Sequence, residues 1–312
     1  MSPEYSIVVP VLDERETLPA LHSRLRAVMD RLDGEAEVIL VDDGSTDGSF
    51  EVMRKLHEED ARFRALRLSR NFGHQIAITA GLEHARGNAV VVMDGDLQDP
   101  PEVVPELVAK WREGFDVVYA VRDERHGESR VKLATADWFY RLLGRLSEVP
   151  IPRDAGDFRL LDRRVVDAVK GMPEHRRYLR GMVAWVGYDQ IGVHYTREAR
   201  HAGRTKYPMR KMLSFATDGI VSFSTLPLRL TLALGFAVSL ASFLLAVFAV
   251  LAKVTGAYTV PGWASITVGL GILGGVQLTV LGVMGEYIAR IHDEVKQRPL
   301  YLLRDQLGAA TD

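Results

Sequence analysis

No cysteine occurs in the 312 residues. That excludes a disulfide framework and any thiolate metal site, and it accords with a reducing compartment. There is no large excess of either charge: the formal net charge is −2, so the total gives no reason to expect a nucleic-acid partner, although local Lys and Arg clusters can still meet an anion. No charged segment followed by an apolar run precedes the strand-like stretch that begins at Tyr5. A secretory leader is therefore not expected, and the catalytic part is expected in the cytosol. Internal repeats and low-complexity segments are missing, as are a ligand-spaced His cluster, a Ser, His and Asp arrangement and a Walker-type glycine loop. What remains is a chain with 47% hydrophobic residues, enough for one large domain plus an appendage.

Charge is also lacking from two long stretches near the C-terminal end. Residues 230–252 carry none, between Arg229 and Lys253, and at 1.5 Å per residue they span roughly 35 Å, enough to cross hydrocarbon. A second stretch follows; Pro261 and Gly262 place its start near Trp263 and Glu286 marks its far boundary. The expectation is two transmembrane helices, about 230–252 and 262–286. Arg210, Lys211 and Arg229 precede the pair and Arg290, Lys296, Arg298 and Arg304 follow it, while the connection has only Lys253. The positive-inside rule then puts both ends in the cytoplasm. Residues 208–229 read as an amphipathic interfacial segment, with Met209, Met212, Leu213, Ala216, Ile220 and Phe223 on one stripe, and 289–312 as a cytoplasmic tail. A second amphipathic stripe, Val131, Ala134, Trp138, Leu142 and Leu146, either lies in the headgroup layer or packs on the catalytic domain.

The catalytic part, residues 1–207, alternates β-rich runs at 5–11, 37–41, 65–68, 89–93 and 117–121 with helical segments at 17–32, 49–59, 74–85 and 102–113. This order predicts an α/β domain with a mainly parallel sheet and helices on both faces. Ligands of such sheets lie beyond the carboxyl ends of the strands. Three of those ends are acidic: Asp13 and Glu14, then Asp42 and Asp43, then Asp94 and Asp96. Such carboxylates repel one another unless a cation or hydrogen-bond donors compensate them. Asp94 and Asp96 flank one glycine, and alternate residues of an extended chain point the same way, so both can reach one oxygen-preferring cation. Gln98 can add a carbonyl oxygen, and Mg²⁺ or Mn²⁺ is the natural occupant.

At this point the residues resemble a known family. Val8-Val9-Pro10 with Asp13-Glu14, Val41 to Asp47, Arg70-Asn71-Phe72-Gly73, Asp94 to Pro101, Gly156-Asp157-Phe158-Arg159-Leu160, Thr205-Lys206-Tyr207 and the tail from Gly285-Glu286-Tyr287-Ile288 to Arg298-Pro299 follow in order. Together they resemble the GT-A-fold glycosyltransferases of family 2, in particular the polyprenyl-phosphate branch that includes dolichyl-phosphate mannose synthase and the bactoprenol glucosyltransferases. The latter are nearer, through Asp157, the Arg70 to Gly73 segment and the two-helix tail.

The resemblance implies a sugar-nucleotide donor and a polyprenyl-phosphate acceptor. It places Pro10, Asp13, Glu14, Asp42 and Asp43 at the nucleotide, and Asp94, Asp96 and Gln98 at the metal on its diphosphate. It also implies inversion at the anomeric carbon and a homo-oligomer, with a tetramer as the candidate. Glucose from UDP-glucose is the first expectation; mannose from GDP-mannose and a modified aminosugar stay open. Asp157 and Asp96 are the expected catalytic carboxylates, with Asp157 either a base or a group that positions Arg159 and the acceptor. An anionic acceptor needs cations, and guanidinium forks suit phosphate oxygens. Arg122, Arg130, Lys132, Arg159 and Lys206 are the candidates. His74 either contacts donor phosphate or simply begins a helix.

Two other classes are weighed. A processive polysaccharide synthase would share the nucleotide pocket, but Arg180 is followed by Gly181-Met182-Val183-Ala184-Trp185 rather than directly by Trp, and two spans are too few for a one-chain pore. A non-catalytic scaffold is opposed by the intact Asp94, Asp96 and Asp157.

Overall fold

The structure is a computed structural model that describes residues 3–122, 155–175, 177–196, 226–255 and 262–308. Arg130, Lys132 and Lys206 lie outside the described residues, as do both amphipathic stripes. The chain divides into two compact units. The first contains the sheet and the second the two long helices.

In the first unit, β1 (Tyr5–Val11), β2 (Ala36–Asp42), β3 (Phe63–Leu68), β4 (Ala89–Val92) and β5 (Val117–Arg122) alternate with α1 (Leu18–Met29), α2 (Ser49–Glu59), α3 (His74–His84) and α4 (Val104–Arg112). The first two strands are buried at every position, which explains why they read as near-continuous apolar runs rather than as alternating ones. Helix α1 turns Leu18, Leu21, Leu25 and Val28 inward, each worth roughly 1.5–3 kcal/mol of burial.

Beyond the expected elements come β6 (Ala155–Asp162), α5 (Arg163–Lys170), α6 (Leu179–Val186) and β7 (Gln190–Tyr195). The described sheet has eight strands in the order β7-β5-β6-β4-β1-β2-β3-β8, where β8 is Leu303–Leu307. The pairs β1–β2, β1–β4, β2–β3 and β5–β7 are parallel. Strand β6 runs antiparallel to both β4 and β5, so its first residues, Gly156 and Asp157, arrive at the edge where β4 and β5 end.

Pro10 fits a central strand for a reason visible in the register. The β1–β4 ladder ends at Val8 and Val92, so the N–H that proline lacks is not needed two residues further on.

The C-terminal segment expected as a tail is part of this sheet. Strand β8 pairs antiparallel with β3, the Ser69 N–H donates to Leu302 O, and Tyr301 Oη donates to Glu83 Oε2 at 2.6 Å. Arg64 Nε donates to Gly308 O at 2.9 Å.

In the second unit, α7 (Leu226–Val254) and α8 (Trp263–Val295) pack on one another. The partly covered positions include Thr231, Gly235, Val238 and Ser242 on α7, and Val276, Val280, Val283 and Tyr287 on α8. Leu232, Phe236, Phe243 and Leu278 are exposed. Among the described residues one stretch, Gly269–Val295, is long and apolar enough to cross a membrane, and α7 holds a shorter apolar run, Leu230–Leu245. The second helix does not stop at the expected Glu286. It continues through a Glu286–Arg290 pair of 3.2 Å one turn apart, which lets charge be carried within the helix.

Candidate functional site

The carboxyl edge of the sheet gathers the acidic loops. After β1 and β2 two of them are laced together. The Asp13 N–H donates to Ser45 Oγ at 2.9 Å, and Asp13 Oδ1 accepts from the Thr46 N–H at 2.8 Å. Likewise the Glu14 N–H donates to Ser49 Oγ at 3.0 Å, and the Arg15 N–H to Asp47 Oδ2 at 3.0 Å. Asp13 has φ +53° and Leu97, in the loop after β4, has φ +60°. Left-handed backbone at non-glycine residues is uncommon and clusters at functional loops.

Asp42 and Asp43 are buried and differ in partners. Asp42 Oδ1 accepts from the Ser45 N–H at 2.8 Å, and its other oxygen lies 3.4 Å from Arg67 Nε. Asp43 gives both oxygens to the segment before α3, accepting from the N–H groups of Phe72 at 2.7 Å and Gly73 at 3.0 Å. The same segment passes so close to Gly44 that a Cβ there would sit 2.6 Å from Asn71 N, and Gly44 has φ +77°. Asp43 and Gly44, between β2 and α2, therefore hold the Arg70 to Gly73 segment in place.

That segment sets the start of α3, and His74 stands there. Its Nε2 lies 3.3 Å from Asp157 Oδ2 and 3.5 Å from Asp94 Oδ1. Asp157 Oδ2 also accepts from Gln75 Nε2 at 3.3 Å, and Asp157 Oδ1 from Arg180 Nε at 2.8 Å. Gln75 in turn accepts from the Leu179 N–H at 3.1 Å and so satisfies the first turn of α6. Burial pushes the Asp157 carboxyl up, but the His74 hydrogen bond and the Arg180 charge overcome it and hold the group well below the usual carboxylate range. For His74, burial lowers the affinity for a proton, while the bond to Asp157 and the charges of Asp94 and Asp157 raise it above the ordinary value.

The guanidinium hydrogen-bonded to Asp157 is thus Arg180, whereas Arg159, one of the expected partners, acts on it through charge. Arg159 is buried beneath the edge, where it donates to Gly156 O at 2.7 Å, and burial pulls it down to about 10. It is not brought to the open rim.

Asp94 behaves in the opposite way to Asp157. Burial, with Asp99, Asp157 and Asp96 adding and His74 opposing, pushes it up to about 6. Asp96 Oδ1 accepts from the Gln98 N–H at 3.1 Å. Between Asp94 and Asp96, a Cβ at Gly95 would lie 3.3 Å from Pro10 O, so a small residue lets the end of β4 lie against β1. Among the described residues no three or more His, Asp or Glu side chains form a ready-made ion cage. The neighbouring carboxylates that add to the effect of burial on Asp94 are nevertheless a repulsion that a divalent cation relieves, and an all-oxygen set suits Mg²⁺ or Mn²⁺.

Arg122 stands at the end of β5. Its Nε donates to Tyr195 Oη at 3.3 Å, and Tyr195 Oη donates to Asp99 Oδ1 at 2.5 Å.

Gln75, Arg180, Asp99 and Tyr195 thus join the expected carboxylates and His74, for which the sequence left a role open. Asp99 lies within the Asp94 to Pro101 motif and Gln75 follows His74 directly. Arg180 and Tyr195 reach the edge through α6 and β7, which no strong apolar pattern announces.

Residues 6–170 match Glycosyl transferase family 2. An uncharacterized glycosyltransferase of Synechocystis is 48% identical over 99% of this chain and 97% of its own. The SfII prophage-derived bactoprenol glucosyl transferase of Shigella flexneri is 40% identical over 96% of this chain and 97% of its own. Among solved structures, glucosyl-3-phosphoglycerate synthase from Mycobacterium tuberculosis aligns with TM-score 0.45 and 21% identity, covering 69% of this chain and 76% of that one.

Proposed function

The chain belongs to glycosyl transferase family 2, and we propose that it moves a hexose, glucose from UDP-glucose first, onto a polyprenyl phosphate at the cytoplasmic face of a membrane. The observation that carries this reading is the gathering of opposite charges at one sheet edge: the Asp94, Asp96 and Asp157 carboxylates from the ends of β4 and β6, with Arg122 from β5 and Arg180 from α6. The near full-length likeness to proteins named bactoprenol glucosyl transferases supports the acceptor.

Asp94 and Asp96, with Gln98, would hold a divalent cation on the donor diphosphate; when bound, the ion stabilises the charge that develops on the departing nucleotide. The remaining steps belong to the protein's own residues. The loops after β1 and β2, from Pro10 through Asp13, Glu14 and Asp42, seat the nucleoside. Arg122 orients the acceptor phosphate, whose oxygen attacks the anomeric carbon as the bond to the diphosphate breaks, inverting the configuration. A phosphomonoester has its second pKa near ~6, so it arrives mostly ionised and a strong base is not required. Asp157, kept ionised by Arg180 and His74, either removes a residual proton or fixes the attacking geometry.

Chain connectivity supports the membrane placement. Strands on both sides of the helical pair, β1 to β7 before it and β8 after it, belong to one sheet, so both ends of the pair leave the same unit. Two crossings with the sheet in the cytoplasm satisfy this and the distribution of Lys and Arg.

The test is to incubate purified protein with undecaprenyl phosphate and radiolabelled UDP-glucose, GDP-mannose or UDP-N-acetylglucosamine. Label from UDP-glucose is expected in a single solvent-extractable lipid. A water-insoluble polymer, or donor bound without any product, overturns the reading.

A further inference from the structure

We propose that Tyr195 and Asp99 are positioning residues that aim Arg122 at the acceptor phosphate, and so tie the loop carrying the metal carboxylates to the acceptor's binding group. This rests on the acceptor reading given above.

The three side chains come from separate elements: Arg122 from the end of β5, Tyr195 from the end of β7, and Asp99 from the loop after β4. Asp99 is 1% exposed and Tyr195 5% exposed. A buried carboxylate requires a donor, and the Tyr195 hydroxyl supplies one at 2.5 Å. A phenol has a single proton. Once that proton is given to Asp99, the oxygen can only accept, and what it accepts from is Arg122 Nε at 3.3 Å. Burial, reinforced by Asp99, pushes the Tyr195 phenol up to about 12, so the proton stays in place. The direction of the chain Arg122 to Tyr195 to Asp99 is therefore fixed.

The guanidinium is also constrained from below. Its Nη2 lies 3.9 Å from Asp99 Oδ1, an attraction without a hydrogen bond, and it rests over Gly156, where a Cβ would come within 3.2 Å of it. Gly156 precedes Asp157 at the start of β6, and its bare backbone leaves the room that the cation occupies. One edge of the fork is taken by Tyr195, while the side chain remains 29% exposed at the sheet edge. An arginine fork held along one edge presents its other donors in a set direction, which favours a phosphate over a less specific anion. The ring of Tyr195 packs edge-on to Phe158 at 5.7 Å, so removing only its hydroxyl leaves the packing intact.

The test is a double-mutant cycle in full-length protein, reading KM for undecaprenyl phosphate and for UDP-glucose separately. Tyr195→Phe is expected to raise the acceptor KM about tenfold, the scale of one charged hydrogen bond, while the donor KM moves by less than about twofold. In an Arg122→Ala background the same change is expected to add nothing, because the group it aims is gone. Asp99→Asn serves as a second probe and is expected to shift the acceptor KM in the same direction, with melting temperatures recorded for every variant. Losses that multiply across the cycle, or equal rises in both KM values, discard the positioning role while the acceptor reading stands. Absence of any transfer to polyprenyl phosphate by the wild type instead removes the acceptor reading itself, and this proposal with it.

Discussion

At the carboxyl edge of the sheet, burial raises Asp42 and Asp43 above the ordinary carboxylate value even though each accepts backbone N–H groups. Asp94 is pushed up further, to about 6, and Asp157 is held far down. Residues of one type are thus sorted by what surrounds them, and Asp157 has the Arg180 guanidinium hydrogen-bonded to it. The opposite edge uses the same chemistry for stability. Glu37, at 6% side-chain exposure, accepts from Ser6 Oγ at 2.8 Å, from Arg64 Nη1 at 2.8 Å, and from the Arg86 N–H at 3.0 Å and Nη2 at 2.9 Å. Burial pushes its carboxyl up; Ser6, the Arg86 backbone and Arg64 together outweigh that and leave it below the ordinary glutamate value. A depressed carboxyl contributes stability that is fully present above the unfolded value near ~4.5 and is lost as pH falls through the folded one. Glu37→Gln, which leaves buried Arg64 without its anion, is expected to cost roughly 3–5 kcal/mol at neutral pH. The gap between the two melting curves should close as pH is lowered below about 4. A gap that is constant with pH would show that the loss is one of packing rather than charge. The acidic strand ends were legible in the sequence, yet not which partners each carboxylate holds. Asp43 binds a segment some thirty residues further on, and no local pattern encodes that.

Among the elements, β1 and α2 span the residues their patterns predict, and β2 and β3 run only one or two residues longer. Buried parallel strands advertise themselves as apolar runs. The elements that escaped notice are those whose polar residues serve another purpose. Strand β6 is interrupted by Asp157 and Arg159, β7 is a half-covered edge, and β8 reads Leu-Arg-Asp-Gln-Leu, with the charges that edge strands carry. Strand β6, being antiparallel, delivers its first residues to the site, so inspecting the ends of parallel strands does not reach Asp157; only the resemblance of its motif does. Strand β8 in turn bears on the helical pair, since it returns the chain to the sheet it left. With no native cysteine to interfere, Ala257→Cys, in the connection between α7 and α8, is a single-thiol reporter. In intact cells it is expected to react with a membrane-impermeant maleimide, whereas a cysteine placed at Ser2 reacts only after lysis. Protection of both positions, or labelling of both, would rule out two crossings.

For the molecule as a whole, a net charge of −2 conceals a strong local separation. Carboxylates converge after β1, β2, β4 and at the start of β6, while Arg122 and Arg180 stand against them from β5 and α6. Burial first, and the neighbouring carboxylates after it, raise Asp94, and the sugar nucleotide that this edge is proposed to bind brings more negative charge still. The proposed reaction therefore depends on a divalent cation that Asp94 and Asp96 would hold at the donor diphosphate. The most direct measurement is transfer of sugar from UDP-glucose to undecaprenyl phosphate by purified protein treated with excess chelator and then titrated with Mg²⁺ or Mn²⁺. Activity is expected to vanish with the chelator and to return with either ion, but not in the Asp96→Asn variant; full activity in the chelator would contradict the account.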